Sequence, residues 1–295
     1  MLSVLIPVYN YDISVLVKEL HAQLQHSKIL FEIICLDDCS TIPYAENLLI
    51  NGLSNCSYTI LEKNIGRSSI RNLLAKNATY ENLLFLDADT KVIKNGFIQN
   101  YLKTIVSETQ IIYGGIEYQK EKPSKNELLR WIYGKKREAL KVSDRNKFSH
   151  LRFLTLNFVM KKRIFEQLKF NEDIPNLRHE DTLFALDAKR MNIGVKHIDN
   201  PILHLGLESS DVFLKKSLEA CESLKLFVDM GLIDAKDTSL SRIAKTMQTY
   251  KLSFAIKGFF QIFKKPMRAN LLSDKPSLYI FDIYRLGYYL QIKDV

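Results

Sequence analysis

The sequence has no run approaching the roughly 18 consecutive apolar residues that a membrane-spanning helix requires, so no such span is expected. Its four cysteines in 295 residues, Cys35, Cys39, Cys56 and Cys221, have neither the paired spacing of a zinc site nor the density of a disulfide scaffold. They read as structural or incidental thiols. There is no internal repeat, and no charged leader separates Met1 from the apolar "LSVLIPVYN". The expectation is a chain that starts folded and stays cytoplasmic.

What is present suits a globular enzyme. At 46% hydrophobic and 25% charged residues, the chain can bury one large core, or one α/β domain of about 200 residues with an appendage. An excess of 42 Lys+Arg over 33 Asp+Glu gives +9, which favours anionic partners such as nucleotides, nucleic acid or a membrane surface.

Strand-length apolar runs alternate with helix-length amphipathic stretches in the first half, the pattern of a mostly parallel sheet covered by helices. The predicted strands lie near 2–8, 31–37, 57–61 and 82–87, with helices near 13–26, 43–53 and 67–78. "IIYGGIEYQ" and "RFLTLNFVMK" read as later strands. Residues 118–150, polar and basic around Pro123, read as a loop and short helix over the sheet. Beyond "HIDNPILHLG" strand signals stop and charged-faced helices take over, so the boundary falls near residue 208.

In open α/β sheets, ligands bind outside the carboxyl ends of the strands. Three predicted strands end there in polar residues: "LIPVYN" at Tyr9 and Asn10, "IICLDDCS" at Asp37 and Asp38, and "LLFLDADT" at Asp87 and Asp89. Side chains at i and i+2 of a strand share a face, so Asp87 and Asp89 repel unless a cation lies between them. Hard oxygen ligands suit Mg²⁺ or Mn²⁺ arriving with a phosphate-bearing ligand. A solvated turn satisfies the same residues. "NIGRSSIRN" places Arg67 and Arg71 one turn apart at the start of a helix, where phosphate is favoured; serine capping accounts for the helix start but not for the arginines.

Taken in order and spacing, "LSVLIPVYN", "EIICLDDCS", "NIGRSSIRN" and "LLFLDADT" resemble the family 2 glycosyltransferases. The resemblance implies a GT-A fold: a Rossmann-like, mostly parallel central sheet flanked by helices. That catalytic domain would span 1–207, followed by a helical C-terminal extension over 208–295. It also implies an inverting, metal-dependent transfer from a nucleotide-sugar, expected to be a UDP-sugar, to a glycan or lipid-linked acceptor hydroxyl. Capsule, lipopolysaccharide or exopolysaccharide assembly would suit such an enzyme.

By the same resemblance, Asp38 accepts from the nucleotide base, with Pro7 and Tyr9 shaping its pocket. Arg71 lies near the base or diphosphate, Asp87 near the ribose or metal waters, and Asp89 ligates the metal. In "NLRHEDTLFALDAKRMN" the pair Glu180 and Asp181 opens an amphipathic helix. The resemblance makes Asp181 the general base that takes the acceptor proton, with Glu180 orienting the acceptor. Acidic residues complementing a helix dipole are the plainer alternative. His204 in "NPILHLG" is either a metal neighbour or a satisfied structural histidine, and His179 is expected to position the Glu180–Asp181 turn.

The tail from Arg242 to Asn270 holds seven Lys/Arg and no Asp/Glu. Within it, Leu252, Ile256, Phe259 and Phe263 form a helical stripe with lysines outside, and Pro266 is expected to end that helix. Such a stripe either lies peripherally on an anionic membrane or packs against the rest of the protein. Two other functions compete. A nucleotidyltransferase would carry a Gly- and Arg-rich loop after the first strand, where this chain has "PVYNYDIS". A nucleic-acid-binding module would need its charge on the sheet rather than in the tail, so no nucleic-acid partner is expected.

Overall fold

The structure, a computed structural model, describes residues 1–105, 110–174 and 178–293. The chain divides into two compact units: Met1–Tyr118 with Ala139–Asn176 and Glu180–Gly206, and Gln119–Glu138 with Leu177–His179 and Leu207–Val295.

The first unit is built on β1 (Leu2–Val8), β2 (Phe31–Asp37), β3 (Cys56–Ile60), β4 (Asn82–Leu86), β5 (Thr90–Lys91), β6 (Gln110–Tyr113), β7 (Ile116–Glu117), β8 (Asn157–Lys161), β9 (Gly194–His197) and β10 (Ile202–His204). Seven of these form one sheet in the order β3-β2-β1-β4-β8-β6-β9, in which β8 alone runs antiparallel to the others. The apolar runs become strands because both faces are covered, and β1 and β4 are almost wholly buried. After β3 the chain returns to place β4 on the other side of β1, so connections diverge at the carboxyl ends of β1 and β4 and open a crevice there.

"IIYGGIEYQ" is two strands rather than one, β6 in the large sheet and β7 in a small sheet ordered β5-β10-β7. Gly114 and Gly115 make the break. A Cβ on Gly114 would stand 2.3 Å from the Asn200 carbonyl oxygen and 2.4 Å from the Tyr101 hydroxyl, while Gly115 takes a φ of +106°. In "RFLTLNFVMK" only Asn157–Lys161 is strand. Beneath the site an aromatic cluster joins the sheet to its helices: Phe85 stacks on Phe158 at 4.8 Å, and Phe170 on Phe184 at 4.3 Å.

The second unit is helical. Three of its helices, Ser210–Asp229, Ser239–Thr249 and Leu278–Gln291, each start under a Ser or Thr cap, Ser209, Thr238 and Ser277, whose side chain accepts a backbone N–H. The segment Gln119–Glu138, expected over the sheet, belongs to this unit, and Leu129 joins Leu214, Phe260, Met267, Leu271, Phe281 and Tyr284 in its core.

Pro266 does not end its helix. The helix runs from Ser253 to Leu271 with Pro266 inside it. The carbonyl of Ile262 loses its donor there, but that residue is solvent-exposed, and burial of Met267 and Leu271 holds the turns beyond. The expected stripe is also divided. The inward face is Phe260, Met267 and Leu271, whereas Leu252, Phe259 and Phe263 are exposed and Ile256 is half-buried.

Candidate active site

The rim of the large sheet begins at the end of β1. Asn10 turns the chain with a φ of 51°, a left-handed conformation that asparagine tolerates. Its N–H donates to Ser40 Oγ at 2.7 Å, and its Oδ1 accepts from the Ile42 N–H at 3.0 Å, tying the loops after β1 and β2 together. Pro7 lies within β1 opposite Leu36, and Tyr9 projects from the rim half-exposed.

Asp38 is buried, and its carboxylate accepts from the backbone N–H groups of Ile65 at 2.6 Å and Gly66 at 2.9 Å. It thereby clamps the loop that launches the helix Arg67–Asn77. Gly66 is needed at that point because its φ is +85°.

That helix presents two arginines to the crevice. Arg71, 6% exposed, donates to Asp87 Oδ1 at 2.8 Å, and its Nη1 lies 4.0 Å from Glu180 Oε1. Arg67 Nη1 lies 3.5 Å from the same Glu180 oxygen. The Arg71 guanidinium sits 5.4 Å from the centre of the Phe170 ring, and its Nε and Nη1 have no hydrogen-bond partner. Burial alone would lower the Arg71 pKa, but the charges of Asp87 and Glu180 outweigh it and hold the group above its ordinary value. Burial lifts the Asp87 carboxyl above the usual range against the pull of Arg71, and the charge of Asp89 adds to the lift.

Asp89 is placed by the small sheet. Pairing of β5 with β10 sets His204 opposite Thr90, and His204 Nε2 comes within 3.3 Å of Asp89 Oδ2. The Leu205 N–H donates to the Asp89 carbonyl at 2.8 Å. A Cβ on Gly206 would stand 2.2 Å from Asp89 Oδ2, so the glycine makes room for the carboxylate. Tyr118 lies against the His204 ring at 5.4 Å.

Among the described residues no three His, Cys, Asp or Glu side chains form a metal cage. One Asp89 oxygen beside an imidazole nitrogen is a partial donor set, of the kind a divalent cation completes with phosphate oxygens and water. His204 Nδ1 is buried without a hydrogen-bond partner. These residues fit an ion held jointly with a diphosphate, not one held by protein alone.

Across the crevice, Glu180 and Asp181 form the first turn of the helix Glu180–Arg190. Phe184, one turn on, fixes that helix by stacking on Phe170. Asp181 Oδ1 accepts from the Thr182 N–H at 2.7 Å. His179, directly before the pair, takes a φ of 77°, an uncommon conformation outside glycine. Asn176 and Leu177, which open the quoted motif, lie outside the described residues.

The structure thus joins Arg71, Asp87 and Glu180 in one ionic cluster and Asp89 with His204 in a second. Asp87 feels the charge of Asp89, and Arg71 that of Asp181. Pro7, Tyr9 and Asp38 occupy the neighbouring loops. Gly206 and Tyr118 were not foreseen, nor was Tyr11, whose hydroxyl burial and then Asp89 push above its ordinary pKa. For Gly206 the only signal was a glycine two residues after His204.

Over residues 3–169, more than half of the chain, the sequence matches the profile described as Glycosyl transferase family 2. No curated protein matches it. Among solved structures, TarS from S. aureus superposes with a TM-score of 0.51 at 17% identity, covering 97% of this chain and 54% of TarS; this chain thus spans about half the length of that one. The mannosyltransferase PcManGT from Pyrobaculum calidifontis, solved in complex with GDP-Man and Mn²⁺, superposes with a TM-score of 0.54 at 10% identity, over 97% of this chain and 86% of that one. At these identities the likeness is one of fold. The chain belongs to glycosyl transferase family 2 and has the GT-A fold.

Proposed function

We propose that the enzyme transfers a sugar, with inversion, from a nucleotide-sugar of the UDP class to a hydroxyl of a glycan or lipid-linked acceptor, in the assembly of a cell-surface polysaccharide. In this reading the enzyme works in the cytoplasm. The observation that carries the proposal is the paired cluster on one rim of the sheet, Arg71 with Asp87 and Glu180 beside Asp89 with His204.

In this reading Tyr9 and Pro7 flank the base, and Asp38 offers it the acceptor positions that its two backbone N–H bonds leave over. Arg71 sets Asp87 towards the ribose and, with Arg67, holds Glu180 at the acceptor side. Asp89 and His204 would hold Mg²⁺ or Mn²⁺, which when bound neutralises charge on the departing diphosphate. Asp181 takes the proton of the acceptor hydroxyl while that oxygen forms its bond to the anomeric carbon. The bond from that carbon to the phosphate oxygen breaks, and its electron pair leaves with the nucleoside diphosphate.

PcManGT, with its GDP-Man and Mn²⁺, supports a nucleotide-sugar and a divalent ion and makes GDP the second base to try. The test is a melting-temperature screen of UDP-, GDP- and dTDP-sugars with and without Mn²⁺. Stabilisation by a UDP-sugar that depends on the ion is expected. Stabilisation by none of them, under either condition, overturns the proposal.

A further inference from the structure

The helix Ser253–Leu271 has three sectors when its residues are laid out at about 100° each. One is buried in the helical unit through Phe260, Met267 and Leu271. A second, roughly 120° wide by the same helical geometry, is apolar and exposed: Phe259, Ile262, Phe263 and Pro266, with Ala255 and Ala269 between them. The third carries Lys257, Lys264, Lys265 and Arg268. At the head of the helix Leu252 and Phe254 are also exposed, Phe254 by 86%. An apolar face this continuous is unusual on a surface with no partner.

A basic cleft of about 360 Å³ precedes the helix, lined by Lys236, Arg242, Lys245, Thr246, Thr249 and Tyr250. Asp234 tempers one end of it, 3.2 Å from Lys236. The ion pair between Arg268 and Asp211 marks the other end of the basic run.

We infer that this surface docks on an anionic lipid bilayer, the exposed sector lying in the interface and the basic groups meeting lipid phosphates. Charge complementarity selects the occupant. Two copies of a surface with seven Lys/Arg and no Asp/Glu between Arg242 and Asn270 would repel, whereas an acidic bilayer attracts it. No helix among the described residues is long and apolar enough to cross a membrane, so the helix lies on the surface. The stem of Lys265, which flanks the apolar sector, can extend to the headgroups while the rings stay buried among the acyl chains, and Lys257, Lys264 and Arg268 add charge from the next sector of the helix. The surface belongs to the helical unit alone and does not depend on the donor reading.

The test is sedimentation of the full chain with vesicles of phosphatidylcholine, with and without phosphatidylglycerol, at low and high salt. Binding is expected only with phosphatidylglycerol, falling about tenfold or more as salt rises. Ile262→Asp, at a residue 73% exposed, should lower the vesicle partition coefficient by about tenfold or more with an unchanged melting temperature. The double change Lys264→Glu with Lys265→Glu should remove the dependence on phosphatidylglycerol. Absence of sedimentation at low salt overturns the inference, as does full binding by Ile262→Asp. A lipid-free oligomer that Ile262→Asp dissolves would also overturn it, because the face would then meet a second copy of the chain.

Discussion

Two carboxylates of the rim, Asp181 and Asp89, make separable predictions. Asp181→Asn keeps the shape of the helix start and loses basicity, so turnover should drop by about 10² to 10⁴ while donor affinity holds. Steady-state kinetics beside a donor titration checks this, and near-normal turnover removes Asp181 as the base. Gly206→Ala tests Asp89 without touching it, because the new Cβ would lie 2.2 Å from the carboxylate and force it aside. The expected result is a folded protein whose donor affinity no longer responds to Mn²⁺; an unchanged response means that the position of Asp89 does not matter. His197 belongs to the scaffold. Its Nε2–H donates to the Ser149 carbonyl at 2.9 Å, and its Nδ1 accepts from Arg145, which has only donors to offer. Burial holds it neutral, with its pKa lowered to about 4 from 6.5.

The elements explain what could be read in the sequence and what could not. β1, β2 and β4 were legible because each is a contiguous apolar run, and their polar ends marked the rim directly. The break at Gly114 and Gly115 was not, because it is enforced by Tyr101 and Asn200, far away in the chain. The clamp of Asp38 on Ile65 and Gly66 spans 27 and 28 residues and uses backbone N–H groups, which leave no trace in residue identity. Pro266 misled because its local cost is outweighed by the burial of Met267 and Leu271. The same helix makes a prediction of its own: Phe260 packs where Gly287 leaves space, and a Cβ there would lie 2.6 Å from the ring. Gly287→Ala should therefore cost about 1–3 kcal/mol in urea denaturation, whereas the same change at an exposed helical glycine would gain about 0.5–1 kcal/mol. A neutral result would show that the two helices separate freely.

At the scale of the whole molecule, the family 2 match sets the glycosyltransferase reading above the nucleotidyltransferase one. Stability should depend on acid through His197. Between pH 6.5 and about 4 the unfolded chain binds a proton that the folded one does not, so stability is full above 6.5 and falls as the pH drops through that window. The loss should reach on the order of 3 kcal/mol, and His197→Gln should flatten that part of the profile in parallel denaturation series. An equal slope in both proteins would mean that His197 is protonated in the fold.

The central claim is that the rim binds a nucleoside diphosphate together with a divalent ion, and calorimetric titration of UDP into the wild-type enzyme and Asp89→Ala, each with and without Mn²⁺, tests it most directly. The account predicts Mn²⁺-dependent binding by the wild type that Asp89→Ala loses while remaining folded. Equal affinity in all four titrations, or Mn²⁺-dependent binding that survives in Asp89→Ala, would contradict it.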